Sequence, residues 1–294
     1  MKVKVHYLKG QTLLHAIQIK NGVFKKMNKK LALLLIATGI LGGCEQFNTE
    51  SIFQSSTSST ASDISSSSSV ESLTPEEEEK LAEEAQHQAM LNELPNVSTN
   101  DWNLELVNNW TKIDESIERP LSALPNGLLV DERIIEDYTA MTEAGEKAGH
   151  EIIAVSTYRS VELQTTNYNN SVQKYIDEGH SQEEAIKMTE DYIAIPGGSE
   201  HHTGLAVDVM DTEWLNSGKG LVAEFDGQES QHWLVEHAAD YGFVLRFPKG
   251  KEAETGIEYE SWHFRYVGKE SAAYMKKYDL ALEEYIALLK EAGK

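Results

Sequence analysis

The sequence has 294 residues, a formal net charge of −22 and a single cysteine. Residues 1–43 hold eight lysines and no acid, so the segment from Cys44 onward carries −22 − 8 = −30. So acidic a surface excludes nucleic acid as a partner and excludes electrostatic docking to anionic lipid, while one cysteine excludes an intrachain disulfide.

Lys29 and Lys30 precede an apolar run from Leu31 to Leu41, closed by Leu41-Gly42-Gly43-Cys44. A basic stretch, a short apolar core and small residues at its end read as a secretory signal. The run falls short of the ~20 apolar residues that a membrane-spanning helix needs. Residues 1–26 would make the basic region far longer than usual, so translation is expected to start at Met27. The signal region is therefore 1–43. Cys44 stands where a bacterial lipoprotein signal places its lipidated residue, and Leu-Gly-Gly-Cys resembles a lipobox with Gly42 in place of the commoner Ala or Ser. An ordinary signal peptide with an incidental cysteine is the alternative. Lipid on Cys44 would hold the chain outside the cytoplasm, anchored to the cell membrane.

Residues 44–74 are mostly Ser and Thr, with almost no large apolar side chain after Phe53. Such a segment cannot bury enough surface to offset its ordering entropy and predicts a flexible tether. Thr74-Pro75-Glu76-Glu77 then opens a helix, with Thr74 as N-cap, Pro75 in the first turn and Glu77 completing a capping box. That helix runs to about Asn92. It is so polar that residues 75–100 are expected to form a solvated acidic stalk and linker.

The folded domain is expected over 101–294, a normal single-domain size. Asp131 caps a periodic stretch that puts Ile134, Ile135, Tyr138, Met141 and Ala148 on one helical side, ended by Gly149. Ile152-Ile153-Ala154-Val155, within 151–157, predicts a buried strand. A helix follows over 181–192 and a strand over 205–210. Residues 229–241 predict a helix ended by Gly242, with strands over 243–247 and 262–267. Residues 269–294 are mostly helical. Strands and helices at irregular spacing predict an α+β domain, its small central sheet mixed or antiparallel and flanked by helices.

Two stretches carry the chemistry: Ser199-Glu200-His201-His202-Thr203-Gly204-Leu205-Ala206-Val207-Asp208, and Glu260-Ser261-Trp262-His263-Phe264-Arg265-Tyr266-Val267-Gly268. Side chains alternate along a strand. Asp208 therefore faces away from Leu205, Val207 and Val209. His263 shares a side with Arg265 and Val267, opposite Trp262, Phe264 and Tyr266. Glu260 precedes the strand, and a bend at Ser261 would bring it to the same place without making it a ligand. Two histidines and an aspartate are the inventory of a zinc site, whose fourth position is left to water. A neighbouring carboxylate then serves as base. His202 competes with His201 for the ligand role. Arg159, after the strand at 151–157, is placed to stabilise an oxyanion; a surface ion pair is the plainer alternative.

These residues resemble the VanY-type D-alanyl-D-alanine carboxypeptidases, zinc peptidases of bacterial cell walls that include L,D-carboxypeptidase relatives. The shared patterns are Ser-x-His-x-x-Gly-x-Ala-x-Asp at 199–208, Glu-x-Trp-His at 260–263, and Tyr158-Arg159-Ser160 with Gln164. The likeness continues through Gly242-Phe243 and Arg246-Phe247-Pro248 to Leu282-Glu283-Glu284-Tyr285. It covers roughly residues 100–292. Ser261 departs from the proline common there. The resemblance implies one zinc ion per chain on His201, Asp208 and His263, with the family's spacing preferring His201 over His202. It implies Glu260 as general base and acid, Arg159 as stabiliser of the tetrahedral intermediate, and Ser199 and Gln164 as contacts to the substrate. It implies removal of a C-terminal D-alanine from a peptidoglycan stem peptide, by D,D- or L,D-cleavage. Separately, the chain is expected to be a monomer. A helical lid over the site is expected from residues 165–195. The alternative from another class is a non-catalytic zinc-containing wall-binding module.

Overall fold

The computed structural model describes residues 73–294. The signal region, Cys44 and the Ser/Thr-rich tether, save its last two positions, lie outside those residues. Helix α1 (Pro75–Asn92) opens as its sequence predicts. The Thr74 hydroxyl accepts from the Glu77 N–H at 3.3 Å, and the Thr74 N–H donates to the Glu77 carboxylate at 2.8 Å. Acidic residues in this first turn also suit the positive end of the helix dipole. The helix is not a solvated stalk throughout. Met90, in its last turn, is buried, and Leu94 follows it into a cluster with Leu104, Val267 and Met275. A compact unit therefore spans Met90–Lys294, reaching back beyond the predicted start at 101. The charges that dominate α1 concealed these two anchors.

Strands β1 (Leu121–Ala123) and β2 (Leu129–Asp131) form an antiparallel ribbon. The main sheet holds β3 (Ile152–Ser156), β4 (Ala206–Asp211), β5 (Phe243–Leu245) and β6 (His263–Tyr266) in the order β3-β4-β6-β5, every adjacent pair antiparallel. The expected α+β class holds, with the antiparallel form of the two sheet types. One sheet face presents Val207, Val209, Phe243 and Phe264 to Ile134, Tyr138, Met141 and Leu234. Full burial of each such side chain contributes about 1.5–3 kcal/mol. The opposite face is thereby free to carry polar side chains.

Helix α2 (Ile135–Lys147) supplies Tyr138 and Met141 to this core, after a 3-10 turn capped by the Asp131 side chain. Ala148, expected on its buried side, is exposed. Gly145 is buried instead, because a Cβ there would come within 2.7 Å of Ile152 Cδ1. Helices α3 (Val161–Asp177) and α4 (Gln182–Glu190) pack as a pair, α4 opening with a capping box from Ser181 to Glu184. The single helix predicted over 229–241 is α5 (Glu229–His237) followed by a 3-10 turn to Tyr241. Helices α6 (Lys269–Tyr278) and α7 (Leu282–Glu291) close the chain, burying Tyr285, Ile286 and Leu289 in the cluster that holds Met90.

Candidate active site

Asp208 on β4 and His263 on β6 are direct partners across the sheet, and both are buried. Alternation turns them away from Val207 and Phe264, which lie in the apolar core. Trp262 departs from the predicted alternation. β6 begins only at His263, so Trp262 sits with Met210, Trp214 and Phe225 and lines the cavity.

His201 reaches the pair from a 3-10 turn, Glu200–Thr203. The turn ends at Gly204, whose φ is +73°, and a Cβ there would lie 2.8 Å from Asp131 N. Glycine is thus required both by conformation and by space. The His201 Nδ1–H donates to the Thr157 carbonyl at 2.7 Å, which leaves Nε2 to point inward. Nε2 lies 3.3 Å from Asp208 Oδ2, and His263 Nδ1 lies 3.0 Å from Asp208 Oδ1.

This donor set fits a divalent cation. One ligand atom from each of His201, Asp208 and His263 lies within 4.8 Å of the others. Tetrahedral coordination with bonds of ~2.0–2.1 Å would place ligands ~3.3 Å apart, close to the observed spacings. Asp208 Oδ1 has no hydrogen-bond partner among the described residues, although His263 Nδ1 is so near. The two atoms converge on a shared point rather than bonding to each other. Charge points the same way. Burial opposes protonation of His263, yet the Asp208, Glu200 and Glu260 carboxylates beside it hold its imidazole up at about 9.

Glu260 is fixed just ahead of β6, its N–H donating to the Phe247 carbonyl at 3.1 Å. Its Oε2 stands 3.5 Å from His263 Nδ1. Burial, reinforced by the Asp208 charge, pushes its carboxyl up to about 8, so it holds a proton readily. Arg159 lines the same cavity and is no surface ion pair. It donates from Nη1 to Gln164 Oε1 at 2.8 Å and from Nη2 to Ser156 Oγ at 3.0 Å. Gln164 in turn donates from Nε2 to the Ala194 carbonyl at 2.6 Å. Gln164 thus holds Arg159 from one end of its amide while itself lining the cavity. Ser199 is buried and lines the cavity. His202 turns elsewhere, with Nδ1 2.6 Å from the Arg159 carbonyl, and takes no part in the metal-ligand group.

The cavity measures about 530 Å³ and holds Arg159, His201, Asp208, Glu260 and His263 together on its wall. Asn167 of α3 and Tyr192 and Ile193 after α4 line it from the predicted lid segment. Behind the ligands is a charge network that sequence reading missed. Glu200 Oε1 accepts from Arg246 Nε at 2.7 Å and from Arg265 Nη1 at 2.8 Å. Arg246 also grips the Glu283 carboxylate of α7 with both terminal nitrogens, at 2.9 and 2.6 Å. Burial opposes ionisation of Glu200, but Arg246 and Arg265 hold its carboxyl far below the usual range. The signal was four charged residues inside or beside apolar runs, where an unpaired charge would be too costly to bury.

Comparison with known proteins agrees with this arrangement. The VanY family, described as D-alanyl-D-alanine carboxypeptidase, matches residues 127–269. A D-alanyl-D-alanine carboxypeptidase of Enterococcus faecalis is 34% identical over 186 residues, which is 63% of this chain and 66% of that protein. The chain thus spans just under two thirds of that relative's length. The zinc complex of a variant of the vancomycin-resistance D,D-pentapeptidase VanY, from a VanB-type cassette, is 34% identical with a TM-score of 0.57. That likeness covers 63% of this chain and 99% of the solved one. The LdcB LD-carboxypeptidase, whose structure addresses peptidoglycan recognition, is 31% identical with a TM-score of 0.50, covering 63% of this chain and 86% of that one.

Proposed function

The chain belongs to the VanY family of D-alanyl-D-alanine carboxypeptidases, and from that premise we propose that it is a zinc carboxypeptidase that removes a C-terminal D-alanine from peptidoglycan stem peptides. The observation that carries this reading is the convergence of His201, Asp208 and His263 with Glu260 beside them in one cavity. Those three side chains would hold one zinc ion. Bound zinc supplies Lewis acidity, which lowers the pKa of water to ~7 and polarises a carbonyl.

The chain's own residues do the rest. Glu260 takes a proton from the attacking water as its oxygen bonds to the scissile carbonyl carbon. As the C–N bond breaks, Glu260 returns that proton to the leaving amine of D-alanine. The Arg159 guanidinium, aligned by Gln164 and Ser156, stabilises the negative charge that develops on the carbonyl oxygen. Burial of His201, Asp208, Glu260 and His263 lowers the local dielectric and strengthens these interactions.

The bond cut is read as D-alanyl-D-alanine, supported by similarity to the E. faecalis carboxypeptidase and to VanY. Cleavage between the diamino acid and D-alanine is the second reading, favoured by the likeness to LdcB. Anchoring outside the membrane through lipid on Cys44, with the Ser/Thr-rich segment as tether, would put this cavity within reach of the wall. The test is release of free D-alanine from a synthetic peptide ending in D-Ala-D-Ala. The zinc-loaded chain should release it and the chelator-treated chain should not; equal release from both would refute the metal-dependent mechanism.

A further inference from the structure

We propose that Glu200 is a positioning residue for His263, fixing the imidazole so that Nδ1 and not Nε2 meets the metal. The inference rests on the zinc reading above and adds to it a residue outside the ligand set.

Three observations carry it. First, the His263 ring has its two nitrogens in different surroundings. Nδ1 faces Asp208 at 3.0 Å and Glu260 at 3.5 Å, whereas Nε2 faces Glu200 Oε2 at 3.5 Å. Second, neither His263 Nε2 nor Glu200 Oε2 has a hydrogen-bond partner among the described residues, and both are buried. Two adjacent orphaned polar atoms in a dry site satisfy each other once the ring is drawn into place. Third, the other Glu200 oxygen is held by Arg246 and Arg265, so the carboxylate cannot swing toward the cation itself. Arg246 is locked in turn to Glu283, and Arg265 donates to the backbone carbonyls of Asn103 and Glu105.

The chemistry follows from donor and acceptor roles. An ionised carboxylate only accepts. The nitrogen facing it must therefore bear the proton, which leaves the lone pair on Nδ1, toward the ligand group. A carboxylate behind a ligating histidine also raises that ligand's basicity. The plainer role for Glu200 is to neutralise two buried arginines. Glu200→Gln separates the two roles. The amide keeps an oxygen for the arginines but turns an NH₂ toward His263 Nε2, and a donor there favours the tautomer with the proton on Nδ1.

The experiment measures zinc affinity of the full chain and of Glu200→Gln by competition with a chromophoric chelator. The cobalt(II) absorption spectrum of each serves as a second reading of ligand geometry. Nitrogen-15 NMR of the zinc-loaded unaltered chain reports which His263 nitrogen is protonated. The expected results are a loss of zinc affinity of about 10–100-fold in the variant, a changed cobalt spectrum, and a proton on Nε2 in the unaltered chain. A folded Glu200→Gln protein with unchanged zinc affinity would overturn the inference, as would a proton on Nδ1. If the variant does not fold, the NMR result decides alone. Failure of the unaltered chain to bind zinc would sink the metal reading itself, and this inference with it.

Discussion

Asp208 and His263 are paired residue to residue across β4 and β6, with Oδ1 and Nδ1 3.0 Å apart on the face opposite the apolar core. Strand register therefore brings together two of the three residues that could hold a metal ion. The third, His201, is held from behind by the Thr157 carbonyl. A site prepared in this way gives its residues separable duties.

His263→Ala should abolish stoichiometric zinc binding. It removes one of three ligands and leaves Asp208 a buried carboxylate with one fewer partner. Metal analysis of the purified variant checks this, and a normal zinc content would remove His263 from the site.

Glu260→Gln should retain zinc while hydrolysis falls by about 10²–10⁴-fold, the usual worth of a positioned acid–base group. Glu260 touches the ligand group only at 3.5 Å, through His263 Nδ1. Zinc content and kcat measured on one preparation separate the two effects. Full hydrolysis with zinc retained would show that another group moves the proton.

Arg159→Ala should lower kcat by about 10²–10³-fold, as removal of an oxyanion donor does, with zinc content unchanged. Gln164→Ala should do the same more weakly, because Gln164 acts by aligning the guanidinium. In the double variant the losses should not add. Additive losses would give Gln164 an independent role, such as the substrate contact first expected of it.

Arg246→Met should destabilise the fold by about 3–5 kcal/mol, because it leaves Glu200 and Glu283 as buried carboxylates short of their partner. At this domain size that corresponds to a melting temperature lower by roughly 6–20 °C. Thermal denaturation of the zinc-free chain measures it without interference from the metal. An unchanged melting temperature would mean that Arg265 alone suffices for Glu200.

Sequence periodicity read the sheet and the site well where the physics is local. Strand alternation placed Asp208 and His263 away from the aliphatic face, and the cap at Thr74 identified the start of α1. Helix α3 was anticipated only as part of a helical lid over 165–195, without its bounds, because only Gln164 among its seventeen residues is buried and it has no apolar stripe to detect. Its cap, Ser160 accepting from the Leu163 N–H, was the available signal. Trp262 was assigned to the wrong group because alternation was extended one residue before the strand begins. The Glu200–Arg246–Arg265–Glu283 network could not be read locally at all, since its members are 18 to 83 positions apart and meet only in the folded chain. The bond from Arg159 to Gln164, five residues on, was likewise not anticipated.

The most direct test of the central claim is mass spectrometry of stem peptides incubated with the zinc-loaded chain. Pentapeptide ending in D-Ala-D-Ala and tetrapeptide ending in a single D-alanine are supplied separately. The account predicts that the pentapeptide loses one alanine, that the loss stops when zinc is chelated, and that the tetrapeptide stays intact. Loss of alanine from the tetrapeptide alone would transfer the activity to the L,D-bond. No loss from either peptide, with zinc bound, would contradict the account.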